Sequence, residues 1–273
     1  MGFLFKALKR IQKVKETAPA ADSAGVTAVD IGQSHFLMLT AEKGERIKIS
    51  NFHLEPRPSS PDAVSERMKA LFIEEKLGSG NVRTLLKSSG MIVRILKFPQ
   101  MKRQELTSML QFEVEKYIPF KASEVILDFD VLEEEIEEAG KKQMDILLVA
   151  VKRSEVYEAH QLFEKAGIQV DSIGIGAAAL INIIKFLSPQ ICNQTTAFLE
   201  MGAESTTFGI LLKAKPVFIR DISFGGVDIK KMLKRKLGSD PEAATGKMTA
   251  EYKAALEQSL SSLFNELKLS LGY

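Results

Sequence analysis

The stretches Val29-Asp30-Ile31-Gly32-Gln33-Ser34 and Leu199-Glu200-Met201-Gly202-Ala203-Glu204-Ser205 decide the fold of this chain. Each stretch leaves one apolar run typical of a β-strand, turns at a glycine and enters a second such run. Each also places an acid two residues before the glycine and a hydroxyl shortly after it. This repetition predicts two halves built on the same hairpin, and a pair of such hairpins can hold a polyphosphate from both sides.

The composition is that of an ordinary globular protein. The chain has 273 residues, of which 45% are hydrophobic and 26% charged, and this length allows two domains. The net charge is only +2 and the basic excess lies near the N-terminus, which argues against an extended nucleic-acid surface. A single cysteine, Cys192, cannot form an internal disulfide and indicates a reducing compartment.

Apolar residues recur at helical spacing from Met1 to Lys15, and basic residues occupy the other face. Residues 1–24 are therefore predicted to form an amphipathic helix and a tether. The helix can lie on an anionic membrane or pack on the protein or a partner, and the sequence leaves these alternatives open.

The rest of the chain is predicted to fold as an α/β protein in four further segments. Residues 25–98 begin with three successive strands, and residues 99–170 have the pattern of a small α+β subdomain. Within that subdomain residues 133–142, which begin with an acidic run, are predicted to be a solvated hairpin connection. Residues 171–190 contain an alanine-rich helix. Residues 191–273 repeat the strand and turn order of the first segment and end in two helices.

The two glycine turns suit a phosphate ligand, because glycine lets backbone N–H groups approach phosphate oxygens closely. Gly32 and Gly202 are the candidates for this role, and nearby hydroxyls can add donors. A third element, Gly225-Gly226, precedes a predicted helix whose N-terminus suits a phosphate or a ribose. The alternative is that each turn is only a common β-hairpin, but the duplication favours the phosphate interpretation.

The acids of the two turns are predicted to act through a metal. A carboxylate repels phosphate, whereas Asp30 and Glu200 can hold the water shell of Mg²⁺. Hydrolysis would also need a group that orients a water molecule, and Glu200 or Gln33 is a candidate for this catalytic role. The three histidines lack metal-ligand spacing, and neither a nucleophile elbow nor a Walker lysine is present.

The two acid-x-Gly turns and the Gly225-Gly226-x-Asp228 loop resemble the phosphate motifs and the following loop of the actin-like ATPases. Within that superfamily the chain is similar to the PilM family of type IV pilus assembly. The similarity is carried by residues 113–120 with 124–125 and 128, by residues 146–150 followed by 164–167, and by residues 218–226. The resemblance extends from about Val26 to the end of the chain.

The resemblance implies an actin-like (ribonuclease H-like) two-lobed fold with a small α+β subdomain inserted as in FtsA. It implies ATP and Mg²⁺ in the cleft between lobes, and a cytoplasmic adaptor at the inner-membrane platform of the pilus. The cytoplasmic N-terminal tail of PilN would bind beside the inserted subdomain. The candidate cofactor-binding residues are Asp30, Gly32, Gln33, Ser34, Gly202, Ala203, Ser205, Thr206, Gly225, Gly226 and Asp228.

Three departures from the family pattern stand out. Glu200 replaces the usual aspartate, and Gln33 with His35 makes the first turn less typical. No glycine-rich adenosine-binding segment follows the last helix, so the second lobe is expected to be incomplete, through truncation or decay of the nucleotide site. Three functions therefore stay open: a nucleotide-binding adaptor with at most weak ATPase activity, an active Mg-ATPase, and a scaffold without nucleotide, like FtsA or GspL proteins.

Overall fold

The computed structural model describes residues 25–43, 47–78, 81–88, 90–138, 140–238 and 249–272. The predicted amphipathic helix Met1–Lys15 and its tether lie outside the described residues. The chain divides into two compact units between Leu187 and Ser188.

The helices and strands have the following bounds. In chain order they are β1 (Gly25–Ile31), β2 (His35–Lys43), β3 (Ile47–Pro56), α1 (Pro61–Glu74), β4 (Val82–Leu86), β5 (Ile92–Pro99), α2 (Arg103–Glu113), β6 (Val125–Glu138), β7 (Lys141–Lys152), α3 (Arg153–Lys165), β8 (Val170–Ile175), α4 (Gly176–Leu187), β9 (Thr195–Met201), β10 (Thr206–Leu212), β11 (Lys215–Ile222), α5 (Gly226–Leu237) and α6 (Ala250–Ser270).

The first unit is built on a five-stranded sheet in the order β3-β2-β1-β4-β8. Strands β1, β2 and β3 form an antiparallel meander, and β4 and β8 continue the sheet in parallel with β1. Alternate residues along the strands, such as Val29, Phe36 and Met38, are buried, as the period of two predicts. Because β1 and β4 are parallel neighbours, their C-terminal ends lie side by side.

Helix α1 has a capped N-terminus and an ion pair that joins it to strand β3. Ser60 accepts a hydrogen bond from the Ala63 N–H at 3.2 Å, and Pro61 occupies the first turn, so the helix begins with a capped N-terminus. Further along, the Arg67 guanidinium donates to both Glu55 carboxylate oxygens on β3, at 2.8 and 3.2 Å. This ion pair raises the pKa of Arg67.

The α+β subdomain is inserted between β4 and β8 and has its own antiparallel sheet, β5-β7-β6. Its core packs Leu106 and Leu110 of α2 against Ile146 and Leu148 of β7. Strand β5 was expected in the segment 25–98, but it pairs with β7 along its whole length. Because a strand belongs to the sheet that satisfies its hydrogen bonds, the insertion begins before Ile92.

The acidic run is part of a strand and not only a connection. β6 continues to Glu138, and Glu137 lies opposite Lys142 in the hairpin. Lys142 also pairs with Glu135 at 2.6 Å, which lowers the pKa of Glu135. Cross-strand charge pairs of this kind allow a polar, exposed hairpin to keep its strand geometry.

The second unit opens with the antiparallel meander β9, β10, β11, in the sheet order β11-β10-β9. This confirms the predicted repetition of the strand and turn order. Its core joins Phe208 on β10 and Ile222 on β11 to Leu263 of α6. Phe198 on β9 lies opposite Gly209, whose missing side chain leaves the space that the aromatic ring fills.

Candidate functional site

The two glycine turns have the same register. In the first hairpin Ile31 lies opposite Phe36, and in the second Met201 lies opposite Thr206. Each turn therefore has four residues between its last paired positions. The two hairpins therefore match each other position for position, as the repeat in the sequence predicts.

Each turn is closed by its glycine. The Gly32 N–H donates to the His35 carbonyl at 2.9 Å, and the Gly202 N–H donates to the Ser205 carbonyl at 2.8 Å. A Cβ atom would lie 2.9 Å from that oxygen at Gly32 and 3.1 Å from it at Gly202. Because a side chain would press against the carbonyl that closes the turn, both positions favour glycine.

The N–H groups left for a ligand belong to the residues that follow each glycine. Within the described ranges, no hydrogen bond engages the backbone N–H of Gln33 or Ser34 in the first turn, or that of Ala203, Glu204 or Ser205 in the second. Successive N–H groups in a turn form a concavity that binds anions. Sequence analysis assigned this role to Gly32 and Gly202 and did not identify Glu204. In the structure the glycine N–H is used by the turn.

Lys87 neutralises the acid of the first turn. Strand β4 runs parallel to β1 and ends just before Lys87, whose Nζ donates to Asp30 Oδ2 at 2.9 Å. The other carboxylate oxygen, Oδ1, is buried and has no hydrogen-bond partner in the part of the chain that the structure describes. Asp30, which the sequence assigned to magnesium, therefore has an ammonium group as its neighbour.

Arg57 supplies a second cation beside the same turn. Its Nη1 donates to Gln33 Oε1 at 3.0 Å and lies 3.4 Å from the Gly32 carbonyl oxygen. Its backbone N–H donates to the Ser34 carbonyl at 2.9 Å, which ties the start of the loop after β3 to the turn. The Ser34 hydroxyl is 2.8 Å from His35 Nδ1. The first turn thus carries two cations that sequence reasoning did not identify.

In the second unit, the loop after β11 lies directly on the second turn. The Gly226 N–H donates to the Gly202 carbonyl at 3.0 Å, and the Val227 N–H donates to the Ala203 carbonyl at 2.8 Å. A Cβ atom at Gly225 would lie 2.5 Å from the Ala203 carbonyl oxygen. The structure therefore brings the predicted Gly225-Gly226 element against the predicted turn, with the glycine allowing the close approach.

Thr206 and Asp228 already have partners within this arrangement. The buried Thr206 hydroxyl donates to the Phe224 carbonyl at 2.7 Å, and Asp228 Oδ2 accepts from the Gly225 N–H at 3.0 Å. Since the N–H groups of Gly225 and Gly226 are engaged as well, these residues support the second turn. Glu200 is exposed near the end of β9, and no described side chain pairs with it.

The residues present fit a phosphate group better than a free metal ion. Among the described residues, no cluster of three or more His, Cys, Asp or Glu side chains is able to hold a metal. Glu200 is open to a magnesium ion carried by phosphate, whereas Asp30 is open to one only if Lys87 leaves it. When bound, magnesium supplies positive charge to phosphate oxygens and keeps several of its waters.

A cavity of about 400 Å³ lies beside the first turn, within the first unit. Gln33, Arg57 and Lys87 line one part of it, and Ala159 and Leu162 of α3 line another. Cavities of this size, with mixed apolar and polar walls, are typical of sites for small molecules or a few side chains of a peptide.

Among the helices described, none combines the length and the apolar character needed to cross a bilayer.

The class of protein follows from the order of the strands within each unit. Each unit opens with the same meander and glycine turn, the first sheet continues with two parallel strands, and an α+β subdomain is inserted between those strands. This is the actin-like fold, as the sequence predicted. The family model described as "Type IV pilus assembly protein PilM" matches residues 12–268, and the chain belongs to this family.

One solved structure agrees with the fold. The chain is similar to a structure described as "PilM-PilN type IV pilus biogenesis complex", with a TM-score of 0.77 and 24% identity over 90% of this chain and 76% of that one. A more distant match is the cytoplasmic domain of EpsL of the type II secretion system of Vibrio cholerae. Its TM-score is 0.45, with 16% identity over 82% of this chain and 79% of that one.

The hydrogen bond from Thr206 to the Phe224 carbonyl leads to a testable prediction about the stability of the chain. Thr206→Val keeps the shape of the side chain but leaves the Phe224 carbonyl without its donor, so we expect a loss of about 1–3 kcal/mol in the free energy of unfolding. Urea denaturation of the full chain measures this loss. Thr207→Val is the matched control, since its hydroxyl donates to Asp221 in an exposed hydrogen bond. Equal free energies of unfolding for the two variants would contradict the role assigned to the buried Thr206 hydroxyl.

Proposed function

We propose that this chain is a nucleotide-binding adaptor of type IV pilus assembly that works at the cytoplasmic face of the inner-membrane platform. The observation that supports nucleotide binding most directly is the equivalence of the two turns. Each has its glycine at the same register, an acid two residues before that glycine, and unengaged N–H groups after it. Family membership supports the role in pilus assembly.

The proposed ligand is ATP, and the proposed contacts are the N–H groups that the structure leaves unengaged. Gln33 and Ser34 would donate to phosphate oxygens from the first turn, and Ala203, Glu204 and Ser205 from the second. We assign Gly225, Gly226, Thr206 and Asp228 to holding the second turn in shape. Glu200 remains the candidate for orienting a water molecule, and we expect weak turnover at most.

Substituting the glycines tests the nucleotide proposal. In Gly32→Ala and in Gly202→Ala, the new Cβ displaces the carbonyl that closes the turn and so disturbs the adjacent N–H groups. We expect each variant to bind ATP about tenfold more weakly than the wild type, a loss of about 1.4 kcal/mol, in isothermal titration calorimetry with magnesium present. Gly78→Ala is the control, because a Cβ there meets nothing within 4 Å.

Two results would contradict the nucleotide proposal. One is the absence of binding by the wild type at millimolar ATP. The other is unchanged affinity in both turn variants, since the turns would then have no part in binding.

We further propose that the cavity beside α3 receives the cytoplasmic N-terminal tail of PilN. Three observations support this: the chain belongs to the PilM family, it is similar to the structure of a PilM-PilN complex, and the cavity lies where α3 returns from the inserted subdomain. Apolar walls at Ala159 and Leu162 suit apolar side chains of a tail. Glu158 in the same wall suits a basic group.

Filling the cavity tests this second proposal. Ala159→Phe places an aromatic ring in the cavity wall, and we expect it to weaken binding of a synthetic peptide of the PilN tail by about tenfold or more. Fluorescence anisotropy of a labelled peptide measures the affinity. The matched control is Glu164→Phe, which adds the same ring at an exposed position of α3 that does not line the cavity. Equal affinities for the two variants would place the tail elsewhere.

A further inference from the structure

We propose that the ammonium group of Lys87 takes the place of a divalent cation at the first turn, so that a polyphosphate binds there without magnesium. This inference rests on the proposed nucleotide function and specifies how one part of that site carries its charge. It concerns residues of the first unit alone.

The position of Lys87 supports this inference. Its Nζ lies 2.9 Å from Asp30 Oδ2 and 3.5 Å from the point where a Cβ atom of Gly32 would be. The positive charge therefore lies close to Gly32, in the same turn as the unengaged N–H groups of Gln33 and Ser34. The Lys87 side chain is 38% exposed, so a ligand in solvent is able to reach it.

The two oxygens of Asp30 leave little room for a hydrated metal. Oδ2 is occupied by the Lys87 ammonium, and a divalent cation at the same oxygen would be repelled by that charge. Oδ1 is buried, so a magnesium ion that keeps its waters does not reach it without a rearrangement. Magnesium and Lys87 are thus alternatives at this carboxylate.

An ammonium group is able to perform the charge-pairing role of the metal. Lysine has three N–H donors, so one of them can bind the Asp30 carboxylate while another donates to a phosphate oxygen. This places the carboxylate and the phosphate on either side of one cation, as a hydrated metal ion would.

The charges around Lys87 are consistent with an anionic ligand. Asp30 offsets Lys87, while the side-chain partners of Arg57 among the described residues are neutral, the Gln33 amide and the Gly32 carbonyl. Lys165 of the adjoining cavity pairs with Asp62 at 2.6 Å. Glu155 and Glu158 line the part of the cavity formed by α3. At the turn itself, the positive charge of Arg57 is therefore available to attract an anionic ligand when no metal is bound.

The test compares ATP affinity in excess EDTA with ATP affinity in excess magnesium chloride, by isothermal titration calorimetry on the full chain. For the wild type we expect the two affinities to agree within about threefold, since Lys87 supplies the charge in both conditions. Lys87→Met removes the charge but keeps an unbranched side chain. For this variant we expect affinity in EDTA to fall by about tenfold or more, and magnesium to restore most of it.

Two further variants separate this role from general effects. Lys69→Met removes an exposed charge from α1 in the same unit, and we expect it to behave as the wild type does in both conditions. Lys87→Arg keeps a cation, and we expect it to retain binding in EDTA. Restoration by magnesium within Lys87→Met also shows that this variant is folded.

The outcomes distinguish the inference from the proposed function. Binding of ATP by the wild type in magnesium but about tenfold or more weakly in EDTA would overturn the inference and leave the nucleotide function standing. Equal loss in Lys69→Met and Lys87→Met would also overturn it. No binding in either condition would overturn both.

Discussion

A four-residue turn closed by a glycine N–H is the constraint on which the rest of this structure depends. The bond from Gly32 or Gly202 to the carbonyl three residues later excludes a side chain at the glycine and consumes its N–H. As a result, the N–H groups of the next residues are left unengaged, and the acid two residues earlier keeps a fixed position at the end of its strand. Any proposal for function has to explain why this arrangement occurs twice.

The two turns have the same geometry but different surroundings. The first turn is bordered by side chains: Lys87 reaches it from the parallel strand β4, and Arg57 reaches it from the loop after β3. The second turn is supported by backbone, because the loop through Gly225 and Gly226 packs against it. The first turn therefore contributes charge as well as N–H donors. The second contributes donors on a backbone scaffold, with Glu200 exposed beside it. This difference is the reason for assigning a metal-like role to a lysine in the first unit.

The hairpins were predictable from the sequence because their determinants are local. A glycine, an acid and alternating apolar residues within a few positions specify both β1–β2 and β9–β10, and the repeat led to the actin-like fold. The insertion was predictable as an α+β segment, although its first strand was assigned to the preceding segment. Strand β5 pairs with β7, which lies some fifty residues further along the chain, and nothing local in Ile92–Pro99 indicates that partner.

The parallel strands and their consequences were not predicted. Sequence reasoning did not identify β4 or β8, which are short and pair only with distant strands. The alternation in Val82–Leu86 was a usable signal for β4, but the contact between Lys87 and Asp30 joins residues 57 positions apart and exists only because β4 lies beside β1. Likewise, the support of the second turn by Gly225 depends on the return of β11. Residues that reach the proposed site from distant parts of the chain are therefore the ones that sequence patterns do not reveal.

The most direct test of the central claim is amide NMR of the full chain during an ATP titration, with assigned signals for the two turns. The account predicts that the amides of Gln33 and Ser34 and those of Ala203, Glu204 and Ser205 shift together, with a single dissociation constant, while the Gly78 amide does not move. Shifts confined to one turn, or different dissociation constants for the two, would contradict the claim that both turns serve one ligand.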